Sequence, residues 1–343
     1  MSQHDELGAL LAGPAPVLAL APMQDVTDLP FWRLIAQYGG ADLYYTEYFR
    51  VYPDSRLDKH ILRSITENPT GRPAIAQMIG NDIPALVRSA KELLQHKVAA
   101  IDLNLGCPAP VVYRKCAGGG LLRDIPRVDS ILGALRDAIP GRFTVKTRLG
   151  FDTDATLDAL LPLFAKHRID LLTIHGRTVL QMYRGEVHYP RIAAAVRALP
   201  CPVLANGNIS SPTVAASVLE ETACRGLMLG RGMIRNPWLF AQIRTHLAGD
   251  TPALPTGRDV LAYIEALYAA VCSDDVPEHS QVQKMKKYLN FIAAGIDAPE
   301  FHHDIRRVST RHDFFAICKR TLDHDHPMPL EPLGPANSSE EER

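Results

Sequence analysis

A thiol in a turn is the first group in this sequence placed for chemistry. Asn104-Leu105-Gly106-Cys107-Pro108 follows the apolar run 99–103, which reads as a strand passing into a polar, glycine-punctuated turn. Ten residues further on, Ala117-Gly118-Gly119-Gly120 reads as a flexible hinge. Free cysteines are more often small buried hydrophobes, so position in the chain must decide between packing and chemistry. Other apolar runs end in comparable groups: Pro22-Met23, Glu47, Gln77, Lys146 with Arg148, His175, Asn206-Gly207-Asn208 and Gly230-Arg231. Each alone has a structural explanation, since Lys146 can snorkel and His175 can be a satisfied core histidine. Their recurrence at the same end of successive strands is not what packing alone produces.

The last two groups offer backbone N–H donors and a guanidinium, a combination suited to phosphate. Lys146 and Gln77 are placed to hydrogen-bond a planar heterocycle, with the lysine offsetting negative charge on a reduced flavin. No carboxylate–histidine cluster has metal-ligand spacing, and no serine–histidine–acid arrangement is evident. Phosphate grip and heterocycle contacts together point to flavin mononucleotide (FMN) rather than to a metal or an acyl-enzyme.

The elements that must position these groups alternate along the first 235 residues. Strands are predicted at 17–23, 41–48, 73–79, 99–105, 143–149, 170–175, 201–205 and 226–229. Helices are predicted between them at 84–96, 128–138, 155–167, 189–199 and 212–221, the last with Ser211-Pro212 as cap and first-turn proline. That count and length predict a (β/α)8 TIM barrel within the α/β class. A doubly wound sheet would carry a Gly-x-Gly-x-x-Gly after its first strand, where this chain has Ala21-Pro22-Met23. The expected organisation is a flexible N-terminus at 1–14, the barrel at 15–247 and a proline- and glycine-rich linker at 248–257. A small all-α domain follows at 258–323, with helices at 259–272, 280–294, 299–310 and 313–322, and then a disordered tail at 324–343.

With 46% hydrophobic and 22% charged residues, the composition is that of an ordinary soluble protein. No apolar run is long enough to span a bilayer, and the start of the chain lacks the basic segment of a signal peptide, so a cytoplasmic location is expected. The six cysteines form no C-x-x-C pair, which argues against a disulfide framework; the role of Cys116 stays open. A net charge of −1 gives no global sign of nucleic-acid binding, but Lys284, Lys286 and Lys287 cluster with Arg306, Arg307 and Arg311 in the last quarter.

In their order along the chain, a set of motifs resembles the tRNA-dihydrouridine synthases. They are Ala21-Pro22-Met23, Thr46-Glu47, Gln77-Met78-Ile79-Gly80, Asp102-Leu103-Asn104-Leu105-Gly106-Cys107-Pro108, Gly118-Gly119-Gly120, Val145-Lys146-Thr147-Arg148-Leu149-Gly150, Ile174-His175-Gly176-Arg177-Thr178, Asn206-Gly207-Asn208-Ile209 and Gly230-Arg231-Gly232. The helical part, with Lys284-Met285-Lys286-Lys287-Tyr288-Leu289, is similar to that family's RNA-binding domain. The resemblance implies FMN-dependent reduction of the C5–C6 double bond of a tRNA uridine, with NADPH as reductant. It implies hydride delivery to C6 and a proton from Cys107 to C5. It assigns Pro22, Met23, Gln24, Gln77, Lys146, His175, Asn206, Gly207, Asn208, Gly230 and Arg231 to FMN, and Asn104 and Arg148 to the uracil. Lys284, Lys286, Lys287, Arg306, Arg307 and Arg311 would bind tRNA phosphates beside a base drawn out of its stack. Thr46-Glu47-Tyr48-Phe49-Arg50-Val51 resembles the C-type bacterial subgroup, which implies the D-loop uridine at tRNA position sixteen and a tRNA-orienting role for Arg50. Asn208, where an acidic residue is frequent, and Tyr113-Arg114-Lys115-Cys116 depart from the pattern. A monomer without metal or membrane attachment is expected, and neither the choice of NADPH over NADH nor the oligomeric state follows from the motifs.

Two rivals stand beside this reading. A flavin barrel of the dihydroorotate dehydrogenase type, acting on free pyrimidines, shares the phosphate loops and a lysine but has no use for a basic helical appendage. A non-catalytic RNA-binding barrel would lack flavin colour.

Overall fold

The computed structural model describes residues 2–333 of the 343-residue chain. Its strands are β1 (Val17–Leu20), β2 (Leu43–Tyr45), β3 (Phe49–Arg50), β4 (Ala74–Ile79), β5 (Ala100–Leu105), β6 (Phe143–Arg148), β7 (Leu171–His175), β8 (Val203–Asn206) and β9 (Gly226–Leu229). All pairings are parallel. The sheet closes because β1 pairs with both β2 and β9, while β2 also pairs with β4. The closed ring therefore has eight strands, and β3 is a two-residue addition along the end of β4. This is the expected (β/α)8 barrel, with a further helical region toward the C-terminus. Parallel barrel strands are covered on both faces, which explains why they read as near-continuous apolar runs. At the closing seam, a Cβ on Gly226 would overlap the Val17 backbone, so only glycine lets β9 lie this close to β1.

By contact density the described chain forms two compact units. One holds the residues up to Leu29, Ala41–Asn208 and Ser217–Leu229, and so contains every barrel strand. The other holds Pro30–Gly40, Ile209–Ala216 and the chain from Gly230 onward.

In the barrel unit, the opening residues differ from the flexible lead-in expected of them. Gln3–Ala12 is a helix closed by a capping box: Ser2 Oγ accepts from the Asp5 N–H, and the Asp5 carboxylate accepts from the Ser2 N–H, both at 3.2 Å. Leu7 and Leu11, one turn apart, join Val17, Leu43, Ile75, Leu171, Leu204 and Met228 in one apolar cluster. Gln3 accepts from the N–H of Ala74, which opens β4, and Arg142, just before β6, donates to the His4 carbonyl. Arg225, just before β9, donates to the carbonyls of Leu10, Leu11, Gly13 and Ala15. The helix thus covers the N-terminal ends of the strands, opposite the end where the chemistry-bearing residues emerge.

In the second unit, Gly257–Val271, Glu278–Ile292, Pro299–Arg307 and Arg311–Leu322 form the expected helices. Tyr38 packs edge-on against Trp238 and Tyr263 at 5.1 and 5.6 Å, and Phe31 stacks on Tyr288 at 6.1 Å. Residues 324–333, expected to belong to a disordered tail, are held in place. Thr256 bridges Pro327, Met328 N–H donates to the Pro255 carbonyl at 2.7 Å, and Leu330 is buried with its carbonyl accepting from Arg235 Nε at 2.7 Å. The rest of that tail, 334–343, lies outside the described residues. Among the described residues, no helix is long and apolar enough to cross a membrane, and no group of three histidine, cysteine or acidic side chains is placed to hold a metal.

Candidate active site

Cys107 stands two residues beyond the end of β5, half-buried. Its backbone N–H and that of Gly106 both donate to Asn104 Oδ1, each at 2.9 Å. Asn104 Nδ2 donates to Gln77 Oε1 at 2.8 Å, and Gln77 Nε2 donates to Asp102 Oδ2 at 2.8 Å. The other carboxylate oxygen of Asp102 accepts from Thr144 Oγ1 at 2.6 Å. Gln77, Asp102 and Thr144 are fully buried, and burial pushes the Asp102 carboxyl up to about 7.

The glycine run after Cys107 is not a hinge. Gly118–Arg123 is a 3-10 turn whose residues up to Leu122 are buried, and a Cβ on Gly119 would lie 2.5 Å from Val179 and 2.9 Å from the Cys107 carbonyl. Gly118 has φ +53°, and its Cβ would stand 3.0 Å from that of Cys107. The missing side chains serve close packing against the thiol loop, which Gly119 N–H fastens by donating to the Cys107 carbonyl at 3.2 Å.

Lys146, on β6 next to Asn104 in register, donates to Asn206 Oδ1 at 3.4 Å, while Asn206 Nδ2 donates to the Met228 carbonyl at 2.8 Å. Burial, with Arg148 nearby, brings the Lys146 ammonium down to about 8, and Asp102 opposes that shift. Arg148 is buried and donates to the carbonyls of Gly106 (3.0 Å), Thr178 (2.9 Å) and Met182 (2.5 Å), with Tyr183 beneath its guanidinium. Its first task is to tie the loops after β5 and β7 together. His175 ends β7 and is buried. Gly207 (φ +128°) and Asn208 (φ +48°) turn the chain after β8. Asn208 Oδ1 accepts from fully buried Arg177 at 3.3 Å, and the Gly207 carbonyl accepts from Tyr189 Oη at 2.6 Å.

After β1, Pro22, Met23 and Gln24 are half-buried, and Met23 N–H donates to Thr27 Oγ1 at 2.8 Å. Glu47 accepts from the Asp25 N–H, pinning this loop; burial first, and then Asp28, push its carboxyl up to about 7. Tyr48 is buried, and burial, with the neighbouring Cys107 thiol, pushes its hydroxyl up to about 12. Exposed Arg50 stands 5.8 Å from the Tyr48 ring.

The remaining expected residues belong to the second unit. Gly230 caps the short helix Arg231–Arg235. Lys284 and Lys286 donate to the carbonyls of Val271 and Arg306, at 2.8 and 2.9 Å. Lys287, Arg306, Arg307 and Arg311 are exposed, and Arg306 and Arg307 line a shallow groove with His302 and His303. Arg311 lies 4.9 Å from the Tyr268 ring.

Sequence reading missed the supporting residues Asp102, Thr144, Arg177 and Tyr189, and left Glu47 and Tyr48 without a role. Asp102 and Arg177 lie inside quoted motifs, and a carboxylate in an apolar strand was the one available signal. The donors Lys146 and Gln77 fit a flat ring bearing carbonyls. Gln24 Oε1, buried without a hydrogen-bond partner, fits a ring that also offers an N–H. An isoalloxazine has both.

Residues 19–324 match the family model described as dihydrouridine synthase (Dus). The tRNA-dihydrouridine synthase B of Vibrio parahaemolyticus is 36% identical over 309 residues, covering 84% of this chain and 95% of the relative. The protein of that name from Pseudomonas putida is 37% identical over 261 residues, covering 74% and 76%. A probable tRNA-dihydrouridine synthase of Rhodobacter capsulatus is 32% identical over 266 residues, covering 75% and 80%. Among solved structures, TcOYE with pHBA aligns with a TM-score of 0.51 at 11% identity, covering 69% of this chain and 93% of that one. Histamine dehydrogenase from Rhizobium sp. 4-9 aligns with 0.53 at 13% identity, covering 77% and 51%. At those identities the two structures share the fold.

Proposed function

The chain belongs to the dihydrouridine synthase family, and we propose that it reduces the C5–C6 double bond of a D-loop uridine in tRNA, with FMN as cofactor and NADPH as reductant. The observation that carries this reading is the seating of Cys107. Its thiol loop is fixed through Asn104 and the glycine turn, on the barrel end that also presents Gln77 and Lys146. FMN, when bound, supplies the hydride that reaches C6 of the uracil. Cys107 gives the proton to C5. Lys146 keeps a positive charge beside the ring, while Gln24 and Gln77 orient its polar edge. Pro22, Met23, His175, Asn206, Gly207, Asn208, Gly230 and Arg231 complete the proposed FMN set. Asn104 and Arg148 border the uracil, with Arg148 acting through the loops it ties.

In this reading residues 15–247 carry the reaction and residues 258–323 hold the tRNA through Lys284, Lys286, Lys287, Arg306, Arg307 and Arg311, in a cytoplasmic monomer. The Thr46–Val51 segment favours the uridine at position sixteen, with Arg50 orienting the tRNA. The relatives from Vibrio parahaemolyticus and Pseudomonas putida carry the letter B in their names whereas the Thr46–Val51 segment resembles the C-type subgroup, so a second reading takes another tRNA uridine as the target. The deciding experiment maps dihydrouridine in tRNA from cells lacking the gene. Loss at one position supports the proposal and names the site; an intact profile, together with purified protein that takes up no FMN, refutes it.

A further inference from the structure

We propose that Asp102 is a positioning residue for the Cys107 loop: it holds Gln77, Gln77 holds Asn104, and Asn104 thereby keeps its oxygen on the backbone N–H groups of Gly106 and Cys107. Gln77 lies opposite Asp102 in the β4–β5 register, and Asn104 follows Asp102 by two residues, so all three share one face of the barrel wall. The order of the bonds follows from the chemistry of the groups. An ionised carboxylate has no donor, so Gln77 must turn its NH2 toward Asp102. Only its oxygen is then left for Asn104, which must answer with its own NH2. The Asn104 oxygen, with two lone pairs, remains for the two N–H groups of the thiol loop. Thr144, bonded to the second carboxylate oxygen, keeps Asp102 from rotating out of this arrangement.

Position 102 therefore needs an acceptor facing Gln77 rather than a charge. An asparagine keeps that acceptor if the Thr144 hydroxyl turns to accept from its NH2. A leucine of similar size leaves the buried Gln77 donor without a partner, which frees Gln77 from Asn104.

The test follows the side-chain amide signals of Gln77 and Asn104, and the backbone N–H of Cys107, in isotope-labelled full-length protein without added flavin. Spectra are taken at pH 8, above the Asp102 value of about 7. Asp102→Leu is expected to shift the Asn104 and Cys107 signals and to speed solvent exchange of the Asn104 amide about tenfold or more. In the FMN-loaded enzyme it should lower turnover at saturating tRNA roughly tenfold with KM little changed. Asp102→Asn should keep the signals near their wild-type places and the rate within about threefold. The proposal is overturned if Asp102→Leu leaves the Asn104 signals in place. It is equally overturned if Asp102→Asn matches Asp102→Leu, because the charge beside Lys146 would then be what matters. Should the leucine variant not fold, Asp102→Ala takes its place on the same terms, because it too removes the acceptor that faces Gln77. The activity arm rests on the proposed uridine reduction; if wild-type protein reduces no uridine, that reading fails while the amide signals still decide this one.

Discussion

At the barrel mouth, Gln77, Asp102 and Thr144 are fully buried and bond one another, and Arg148 is held by three backbone carbonyls. In the helical unit, Lys287, Arg306, Arg307 and Arg311 stand exposed along their helices. A group fixed by several buried partners can act at one atom of a substrate, because its position is set before the substrate arrives. An exposed cation on a long side chain can follow a phosphate backbone but cannot select an atom. The first arrangement suits a reaction and the second suits grip.

The strongest attempt to break this contrast is Cys107→Ala. It should lower uridine reduction by about 10²–10⁴-fold while FMN and tRNA binding stay within about twofold. Equal losses of binding and rate, measured by single-turnover kinetics and filter binding, would make Cys107 structural. Next is Lys146, whose ammonium titrates near 8. The rate should fall as pH rises through that value, and Lys146→Met should remove this alkaline limb along with about 10²-fold of the rate. A limb that survives in the variant would assign the titration to another group.

Replacing Lys287, Arg306, Arg307 and Arg311 together by alanine tests the other side. KM for tRNA should rise about tenfold with kcat little changed, and the salt dependence of binding should flatten. A fall in kcat alone would place these residues in the chemistry. The smallest effect concerns Glu47. Its folded carboxyl is raised to about 7 from an ordinary 4.5, so the folded state binds the extra proton between those values. That contribution to stability is present in acid and is lost as pH rises through about 7. Glu47→Gln should therefore flatten the decline of Tm between pH 5 and 8, by roughly two degrees.

Much of the barrel was legible because parallel strands announce themselves as apolar runs: the predicted 73–79 and 226–229 agree closely with β4 and β9. The predicted 17–23 and 41–48 ran past Leu20 and Tyr45 into loop residues that are buried or half-buried, so apolar character alone could not mark the strand ends. The two residues of β3 are too short to show a period. The N-terminal helix left a signal in Ser2, Asp5, Leu7 and Leu11, masked by the polar start around it. At the site, residue types were legible and their partners were not. Asn104 meets Gln77 across 27 residues of chain, and Arg148 meets Thr178 across 30, pairings that only the side-by-side packing of neighbouring strands creates. The same holds for Gly118-Gly119-Gly120, whose sequence suggests freedom and whose neighbours Val179, Tyr113 and Cys107 leave none.

The helix at Gln3–Ala12 covers the strand ends away from Cys107, with Leu7 fully buried and Arg225 binding four of its neighbouring carbonyls. Leu7→Ala should lower stability by about 2–5 kcal/mol in a denaturant titration and leave kcat unchanged. Heat tolerance and reactivity are thus governed from opposite ends of the same strands. A laboratory wishing to harden this enzyme can work on a short opening segment without touching the reactive end, and one wishing to add an affinity handle has reason to avoid it.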